Sequence, residues 1–305
     1  MKLVLIGKPS VGKTSIKQAV FEMKNPNDLI IYPLEPTRGI NTSTHSWIDV
    51  EINMFDTSGQ ELPFLLEDEE EQKKAFYGAS VVIYVLDYPM YTSKKDLLIK
   101  DIEEIHKIMQ KYEINAELTL FFHKIDLIIH KNRNLFNIIE KDIKESIKLE
   151  KDIPLYFTSL QPKFIYNLFN AFSEILIKFS KKLRNLKANI DEIIAETKGI
   201  ICLITDVNNK VIIQTMTDDI KPKFIRNIYH DISSLTQDFQ INKALKSEFK
   251  IIESGNELLG INMEDLKKYN QNLNFLILIS QKLDKMELTK IRDKIFEILS
   301  RFYFN

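Results

Sequence analysis

The fold class is decided by residues 2–14, whose sequence is KLVLIGKPSVGKT. Its first five residues are apolar enough to form a buried strand, and Gly7 to Thr14 match the phosphate-loop pattern G-x-x-x-x-G-K-[ST]. Such a loop surrounds phosphate groups with backbone N–H groups and needs glycine where the chain turns tightly. Residues 15–23 have helical periodicity, and the positive N-terminal end of a helix favours an anion at the same place. The sequence therefore predicts a strand, a loop and a helix that bind the phosphates of a nucleotide.

Individual loop residues have expected roles. The ammonium group of Lys13 is expected to reach the β- and γ-phosphates and to assist catalysis, and the Thr14 hydroxyl is expected to be a ligand of Mg²⁺. The other loop residues that we expect to contact the nucleotide are Gly7, Pro9, Ser10, Val11, Gly12 and Ser15.

Two further segments are expected to sense the γ-phosphate. Asp56 ends a predicted strand, where a carboxylate beside a phosphate loop holds a water molecule bound to Mg²⁺. Gly59 would donate its N–H to the γ-phosphate, and Gln60 would orient the attacking water. Thr37 would complete the coordination of Mg²⁺ only when the γ-phosphate is present, which makes it a third catalytic candidate; a turn-capping threonine is the alternative. The two segments would form an order–disorder pair.

The sequence FFHKID ends a predicted strand and contains residues that are expected to recognise the base of the nucleotide. Guanine presents an N1–H and an exocyclic amine, and the carboxylate of Asp126 accepts both, whereas adenine lacks this pair of donors. The stem of Lys124 would lie over the base plane. For His123, which stands where Asn-Lys-x-Asp motifs have Asn, a structural role is favoured over direct contact. A backbone N–H of Ser159 or Leu160 is expected to meet the guanine carbonyl oxygen, with a plain loop as the alternative.

Strands alternate with helices over residues 1–182, which predicts an α/β, doubly wound P-loop sheet. The long stretch 24–46 is predicted to be a loop, and the acidic stretch 57–75 is predicted to be irregular. Beyond the first strand, the predicted strands are 47–56, as a strand or hairpin, 81–86 and 118–122, and the later predicted helices are 95–111, 133–149 and 164–182.

Residues 183–305 change to a different pattern, which predicts a smaller α+β domain with an antiparallel sheet. Asn208 and Asn209 would form the turn between its first two strands. The predicted helices are 183–197, 219–238 and 285–301, and the predicted strands are 200–205, 210–215, 246–253, 257–263 and 273–280.

Composition excludes several classes of protein. Lys plus Arg number 42 and Asp plus Glu number 43, a balance that argues against nucleic-acid binding. The single cysteine, Cys202, lies in an apolar run and is expected to be a buried thiol, so we expect a reducing, cytoplasmic compartment. No secretory leader, lipidation motif or apolar run of membrane-spanning length is found, so membrane attachment is expected only through a partner. The acidic run 67–71 is most simply a solvated segment.

The order of these motifs across residues 1–182 resembles the Ras-type GTPase domain. The His-Lys-x-Asp motif and the C-terminal α+β domain resemble the Rag/Gtr GTPases, notably the A/B type, and this resemblance covers the whole chain. It implies a roadblock/longin-like domain over residues 183–305 that pairs two GTPase subunits as a homo- or heterodimer. It also implies slow hydrolysis of GTP to GDP with Mg²⁺ and recruitment to an endomembrane by a scaffold. An exchange factor and a GTPase-activating protein are the further partners expected.

The chain departs from the Ras-type pattern in two places. Pro9 stands where many such loops have a second glycine, and its ring is expected to crowd the approach to the γ-phosphate and to block an arginine finger. Residues 62–75 are short and acidic, so effector contacts are not carried over.

Alternatives stay open at this point. A constitutively GTP-bound structural subunit with little hydrolysis is the main one, and Gln60 argues against it. The others are a GTPase that works on RNA, disfavoured by the neutral charge, and a Ras-like protein with an unrelated C-terminal domain. The dimer interface is predicted at strand 210–215 or helix 219–238, with packing of 210–215 against 183–197 in a monomer as the alternative.

Overall fold

The computed structural model divides into two compact units, residues 1–161 and residues 162–305. The residues that it describes are 1–32, 34–47, 50–128, 135–149, 152–161, 164–207, 210–217, 219–220, 247–254, 257–269, 271–282 and 284–303.

The first unit is built on a six-stranded sheet of order β2-β3-β1-β4-β5-β6. Only β2 runs antiparallel to its neighbour, and the remaining pairs are parallel. The strands are β1 (Lys2–Ile6), β2 (Ile40–Trp47), β3 (Val50–Thr57), β4 (Val81–Asp87), β5 (Glu117–His123) and β6 (Leu155–Phe157). The predicted α/β P-loop class is confirmed, and the parallel strands bring their carboxyl ends to one edge of the sheet.

Helices and apolar strands form the core of this unit. Strand β4 is buried at every residue, and its Tyr84 packs in a cluster with residues of β1, β5 and α5. The helices are α1 (Lys13–Val20), α2 (Pro26–Ile31), α3 (Leu62–Glu67), α4 (Glu69–Phe76), α5 (Tyr88–Lys111) and α6 (Leu135–Ser146), with a 3-10 turn at Ile125–Leu127.

The prediction of one long loop over residues 24–46 is wrong. Helix α2 lies within it, because Asn25 caps the N-terminus by accepting a hydrogen bond from Asn27 N at 3.0 Å and Pro26 occupies the first turn. The proline that suggested a loop is therefore a helix start, and β2 begins at Ile40.

The prediction that residues 57–75 are irregular is also wrong. Asp68 caps α4 through a 2.9 Å hydrogen bond from Glu71 N, and three glutamates occupy the first turn. Negative charge is favourable at that end of a helix, so the acidic run starts α4 instead of forming a loop. Residues of the opposite face, among them Phe76, are buried in the core.

The second unit contains a five-stranded, fully antiparallel sheet of order β8-β7-β11-β10-β9. Its strands are β7 (Ile200–Asp206), β8 (Val211–Met216), β9 (Ser247–Ser254), β10 (Glu257–Asp265) and β11 (Leu273–Ser280), and its helices are α7 (Ile165–Leu176), α8 (Lys181–Ala195) and α9 (Lys285–Tyr303), with a 3-10 turn at Ile177–Phe179. This confirms the predicted smaller α+β, roadblock-like class. Residues 221–238 of the predicted helix 219–238 lie outside the described residues, as do Asn208 and Asn209.

The division between the units differs from the predicted boundary at residue 182. Helix α7, which was predicted to close the first domain, packs against β8 of the second sheet. The Ser173 hydroxyl donates a 2.6 Å hydrogen bond to the carbonyl oxygen of Ile212. Apolar periodicity identified the helix, but it carried no information about which sheet the helix covers.

Strand β8 is the last described strand at one edge of the sheet, and its apolar side chains are covered within the chain. Its residues Val211, Ile212 and Ile213 are at most 1% exposed, and α7 and α8 both pack against it. The Thr215 hydroxyl also donates to Asp191 of α8. This burial agrees with the alternative, packing of 210–215 against α8 within the chain. The predicted interface at strand 210–215 or helix 219–238 stays a prediction, because residues 221–238 lie outside the described residues.

Across the described residues, every helix is too short or too polar to cross a lipid bilayer. Cys202 is fully buried, and this burial raises the pKa of its thiol well above the usual range, as expected of a structural cysteine.

Candidate nucleotide-binding site

The phosphate loop joins β1 to α1 and turns at two glycines. Gly7 has φ +147° and Gly12 has φ +102°, values that favour glycine. A Cβ atom on Gly7 would lie 2.3 Å from the carbonyl oxygen of Val85 on β4. The loop therefore needs glycine at Gly7 both for its dihedral angle and for its close approach to the neighbouring strand.

Lys13 is buried inside this loop. Its ammonium group donates to the carbonyl oxygens of Gly7 at 2.8 Å and Lys8 at 3.0 Å. Burial lowers the pKa of Lys13 to about 8, and the charge of Asp56 opposes this shift. The protein interior thus compensates the positive charge of the ammonium group only in part. Phosphate oxygens bound in the loop would supply further negative charge.

A cleft of about 330 Å³ opens above the loop, and it brings together most of the residues predicted to contact phosphates. Val11 differs from them because its side chain is fully buried. The predicted residues that line the cleft are Pro9, Ser10, Gly12, Lys13, Thr14, Ser15, Thr37, Gly59 and Gln60.

The three predicted Mg²⁺ ligands form a cluster. The Thr14 hydroxyl oxygen lies 2.8 Å from the Thr37 hydroxyl oxygen and donates to Asp56 Oδ2 at 2.8 Å. Asp56 is fully buried, and its Oδ1 atom has no hydrogen-bond partner among the described residues. Burial raises the pKa of Asp56, while the Thr14 hydrogen bond and the charges of Lys13 and Lys17 lower it. An all-oxygen set with an unsatisfied carboxylate oxygen fits Mg²⁺, which prefers such ligands.

Gly59 lies directly against the phosphate loop. A Cβ atom there would be 2.5 Å from Pro9 N and 2.7 Å from the Lys8 carbonyl oxygen. Gln60 is exposed on the cleft wall, with its side chain open to solvent. Close backbone contact thus explains why glycine precedes the glutamine.

A residue that the sequence did not indicate joins the two segments that are expected to sense the γ-phosphate. Glu61 Oε2 accepts a 2.9 Å hydrogen bond from Gly39 N, and Ser58 N donates to the Gly39 carbonyl oxygen at 2.8 Å. Gly39 follows Thr37 closely, so the segment that contains Thr37 is tied to the segment that contains Gln60. No local pattern distinguishes Glu61 from the acidic residues that follow it.

A second cavity, of about 250 Å³, contains the predicted base-binding residues His123, Lys124, Asp126, Ser159 and Leu160. Asp126 accepts a short hydrogen bond from the hydroxyl group of Ser159, and Gln161 N donates to that same hydroxyl oxygen at 3.0 Å. The Ser159 loop is therefore fixed to the carboxylate that is expected to recognise guanine.

Apolar residues of α2 were missed as part of this cavity. Leu29 and Ile30 line it, together with Leu127 beyond the base motif. The apolar sequence Leu29-Ile30-Ile31 inside a polar stretch was an available signal for these residues, but the whole stretch 24–46 was predicted to be a loop.

Lys124 connects the base motif to the phosphate loop. Its backbone has φ +59°, and its ammonium group donates to the Ser10 carbonyl oxygen at 2.5 Å and to Asp87 Oδ2 at 2.9 Å. Asp87 ends β4 and also caps α5 by accepting from Met90 N at 3.1 Å. Asp87 is not among the predicted site residues, although a carboxylate at the end of a fully apolar strand was an available signal.

His123 is buried between the same two parts of the site. Its Nδ1 atom forms a 2.9 Å hydrogen bond with the Thr158 hydroxyl, and its ring lies against Gly12. Burial, assisted by the charge of Lys124, lowers the pKa of His123 from 6.5 to about 3, so the ring is neutral. This geometry agrees with the structural role that the sequence favoured.

The two cavities share Gly12, Ser15, Leu29 and Lys124, so the cleft above the loop continues into the cavity that contains the predicted base-binding residues. A phosphate loop after β1, a carboxylate at the end of β3 and a Lys-x-Asp motif after β5, all at one edge of the sheet, define the P-loop G-protein class.

Comparison with known proteins narrows this class. The conserved region of the Gtr1/RagA G proteins matches residues 2–236, and the chain belongs to this family. The Ras-related GTP-binding protein C of Homo sapiens and of Mus musculus is 26% identical over 226 residues, covering 70% of this chain and 53% of the relative. The GTP-binding protein GTR2 of Saccharomyces cerevisiae is 25% identical over 229 residues, covering 70% of this chain and 61% of the relative.

The chain thus spans only about half to three fifths of the length of these relatives. Neither name carries an A or B designation, so the predicted A/B subtype stays a prediction.

Proposed function

We propose that this chain binds GTP and GDP with Mg²⁺, hydrolyses GTP slowly and acts as a nucleotide-dependent switch. The observation that carries the proposal is the cluster of Thr14, Thr37 and Asp56, in which a loop hydroxyl joins a helix hydroxyl and a buried carboxylate. Thr37 belongs to the segment before β2, so its contact with the metal site would form or break with the γ-phosphate. The relatives are named as GTP-binding proteins, which supports the proposal.

Each part of the site has a task in this proposal. Lys13 neutralises charge on the β- and γ-phosphates, and the backbone of Gly59 meets the γ-phosphate. Bound Mg²⁺ would neutralise the charge that develops on the β- and γ-oxygens. Thr14, Thr37 and Asp56 would hold the ion or its water molecules. Asp126 accepts the two guanine donors, which excludes adenine.

Hydrolysis is proposed to be slow because Gln60 only orients a water molecule. Its side chain is exposed at the cleft wall, and intrinsic rates of GTPases are on the order of 10⁻⁴ s⁻¹ without a charged finger and 10⁻² s⁻¹ with an arginine supplied in cis. An activating protein would accelerate this step, and an exchange factor would renew the GTP.

Single-turnover hydrolysis of loaded GTP tests this function, with ATP as the matched control nucleotide. We expect retention of GTP and GDP but not ATP, slow release of phosphate, and a further loss of rate in Gln60→Leu without a loss of binding. Retention of GTP with no hydrolysis in either protein would favour the alternative, a constitutively GTP-bound scaffold subunit. Equal retention of ATP and GTP would contradict the assignment of the base pocket.

We also propose that the second unit pairs with the equivalent unit of a second copy or of a related GTPase, as the family resemblance implies. Ile251 on β9 and Leu258 on β10 are 55% and 53% exposed. Ile251 pairs with Gly260, two residues from Leu258, so both side chains lie on one face near the sheet edge. Burial of these apolar groups would favour association.

Analytical ultracentrifugation of the full chain, alone and mixed with a related GTPase, tests the pairing. We expect a dimer in one of the two samples and its loss in Ile251→Lys. Tyr77→Lys is the matched control, because Tyr77 is also an exposed apolar residue but belongs to the first unit. A monomer in both samples would contradict the pairing. A roadblock-type scaffold is the further partner proposed, with a cytoplasmic location and recruitment to membranes through that partner.

A further inference from the structure

A buried ion pair lies beneath the phosphate loop and has no part in the proposed chemistry. Lys8 Nζ is 2.7 Å from Asp101 Oδ2, and the two side chains are 9% and 7% exposed. The Tyr84 hydroxyl donates to the same carboxylate oxygen at 2.9 Å. Removing two charges from water costs several kcal/mol per ion, and the attraction between them often fails to repay that cost. The pair therefore calls for an explanation other than stability.

The backbone of Lys8 is in contact with two groups of the proposed site. Its carbonyl oxygen accepts a 3.0 Å hydrogen bond from the ammonium group of Lys13. The backbone of Gly59 packs on the same carbonyl group, since a Cβ atom on Gly59 would lie 2.6 Å from the Lys8 carbonyl carbon. A displacement of the Lys8 peptide would therefore move the phosphate-binding lysine and the γ-phosphate contact together.

The side chain of Lys8 anchors this peptide to the core. It runs from the loop to Asp101 on α5, and Asp101 is held in turn by Tyr84 on β4. Burial and the charge of Asp101 raise the pKa of Tyr84 well above the usual range, so its hydroxyl group stays a donor. The anchor thus joins three elements of the first unit at one carboxylate oxygen.

We propose that Lys8 is a positioning residue, which holds its own carbonyl group between Lys13 and Gly59 through the ion pair with Asp101. The inference rests on the proposed function, because it concerns a bound nucleotide. Lys13 contacts phosphates of both GTP and GDP, whereas Gly59 contacts only the γ-phosphate. Loss of the anchor should therefore speed the release of GTP more than the release of GDP.

The double variant Lys8→Met with Asp101→Leu separates positioning from folding. It replaces both charges by apolar side chains of similar length, a change that buried ion pairs often tolerate. The matched control is Arg292→Met with Glu264→Leu, which removes a 2.9 Å ion pair of the second unit. The single variant Lys8→Met is avoided because it leaves Asp101 buried without its cation.

Release of a fluorescent, non-hydrolysable GTP analogue and of fluorescent GDP is measured at saturating Mg²⁺. We expect a Tm near that of the unmodified protein, release of the GTP analogue about tenfold faster, as for one lost hydrogen bond to a charged group, and a smaller change for GDP. The control should keep both rates. A folded double variant with an unchanged ratio of the two rates would overturn the positioning role while leaving the proposed function intact.

A second variant covers failure of the double variant to fold. Asp101→Glu keeps both charges but displaces the carboxylate by one methylene group, so the ratio should change in the same direction, and an unchanged ratio would overturn the proposal. If the unmodified protein retained neither nucleotide, that result would contradict both the proposed function and this inference.

Discussion

The ring of His123 lies so close to Gly12 that a Cβ atom on Gly12 would be 2.8 Å from its Cδ2 atom and 3.1 Å from its Nε2 atom. Through Nδ1 the same ring holds Thr158, which precedes the loop of Ser159 and Leu160. One neutral side chain therefore connects the phosphate loop to the loop expected to bind guanine. The two positions constrain each other, since the histidine leaves no room for a side chain at Gly12.

The buried His123 should make the first unit sensitive to acid. Its pKa is lowered from 6.5 to about 3, so between pH 6.5 and pH 3 the imidazole is protonated in the unfolded chain and neutral in the folded chain. Stability is therefore lost as the pH falls below 6.5, by about 2 kcal/mol between pH 7 and pH 5. Equilibrium unfolding followed by the fluorescence of the single tryptophan, the buried Trp47, reports on this unit.

His123→Asn is the control for this dependence, because asparagine does not titrate and still offers a side-chain hydrogen bond to Thr158. The difference between the two proteins should shrink or reverse as the pH falls. Parallel pH profiles for both proteins would show that His123 is not the responsible group.

Contact between His123 and Gly12 predicts strong coupling between substitutions at the two positions. Gly12→Ala should be severely destabilising, because a left-handed φ costs about 1–2 kcal/mol and the methyl group meets the ring. In a His123→Ala background the methyl group has space, so part of the cost should disappear. Unfolding of all four proteins gives the coupling, expected at about 1–3 kcal/mol. If the losses of stability are additive, the ring of His123 moves aside without an energetic cost when Gly12 carries a methyl group.

Base recognition should depend on the carboxylate of Asp126. Asp126→Asn replaces one carboxylate oxygen by an NH₂ donor, so the side chain keeps its shape but can no longer accept from both guanine donors. We expect weaker GTP binding, by at least about tenfold, and a gain for xanthosine triphosphate, which presents a carbonyl oxygen in place of the amine. Competition between the two nucleotides measures the change. Asp87→Asn, which alters the partner of Lys124 instead, should weaken binding without changing the preferred base.

Removal of Mg²⁺ should speed the release of nucleotide through the cluster of Thr14, Thr37 and Asp56. Chelation is expected to raise the dissociation rate of GDP in the unmodified protein. In Thr14→Asn or Asp56→Ala the nucleotide should leave quickly before and after chelation, since each change removes an expected ligand of the ion or of its water. Thr57→Ser is the control, because the Thr57 hydroxyl donates to the Leu5 carbonyl oxygen instead. If chelation acts equally on all four proteins, the cluster is not the Mg²⁺ site.

Several features were predictable because they depend on neighbouring residues. An apolar strand followed by Gly7, Gly12 and Lys13 encodes a phosphate loop locally, since the dihedral angles and the following helix belong to one short segment. The same holds for the strands of the second sheet, whose apolar residues mark them individually, as at Leu273–Ser280. Order along the chain then identified the two fold classes.

Other features depended on contacts between distant residues, which local patterns do not specify. The sheet that α7 covers, the place of Leu29 beside the base pocket, and the ion pair of Lys8 with Asp101 follow from how the elements pack. The acidic run is exposed at Glu67, Glu69 and Glu70, as expected of a solvated segment, but its charge alone did not indicate a helix start, where negative charge is stabilising. Residues proposed to bind or catalyse could thus be picked out in the sequence, but the residues that hold them in place could be identified only once the chain was folded.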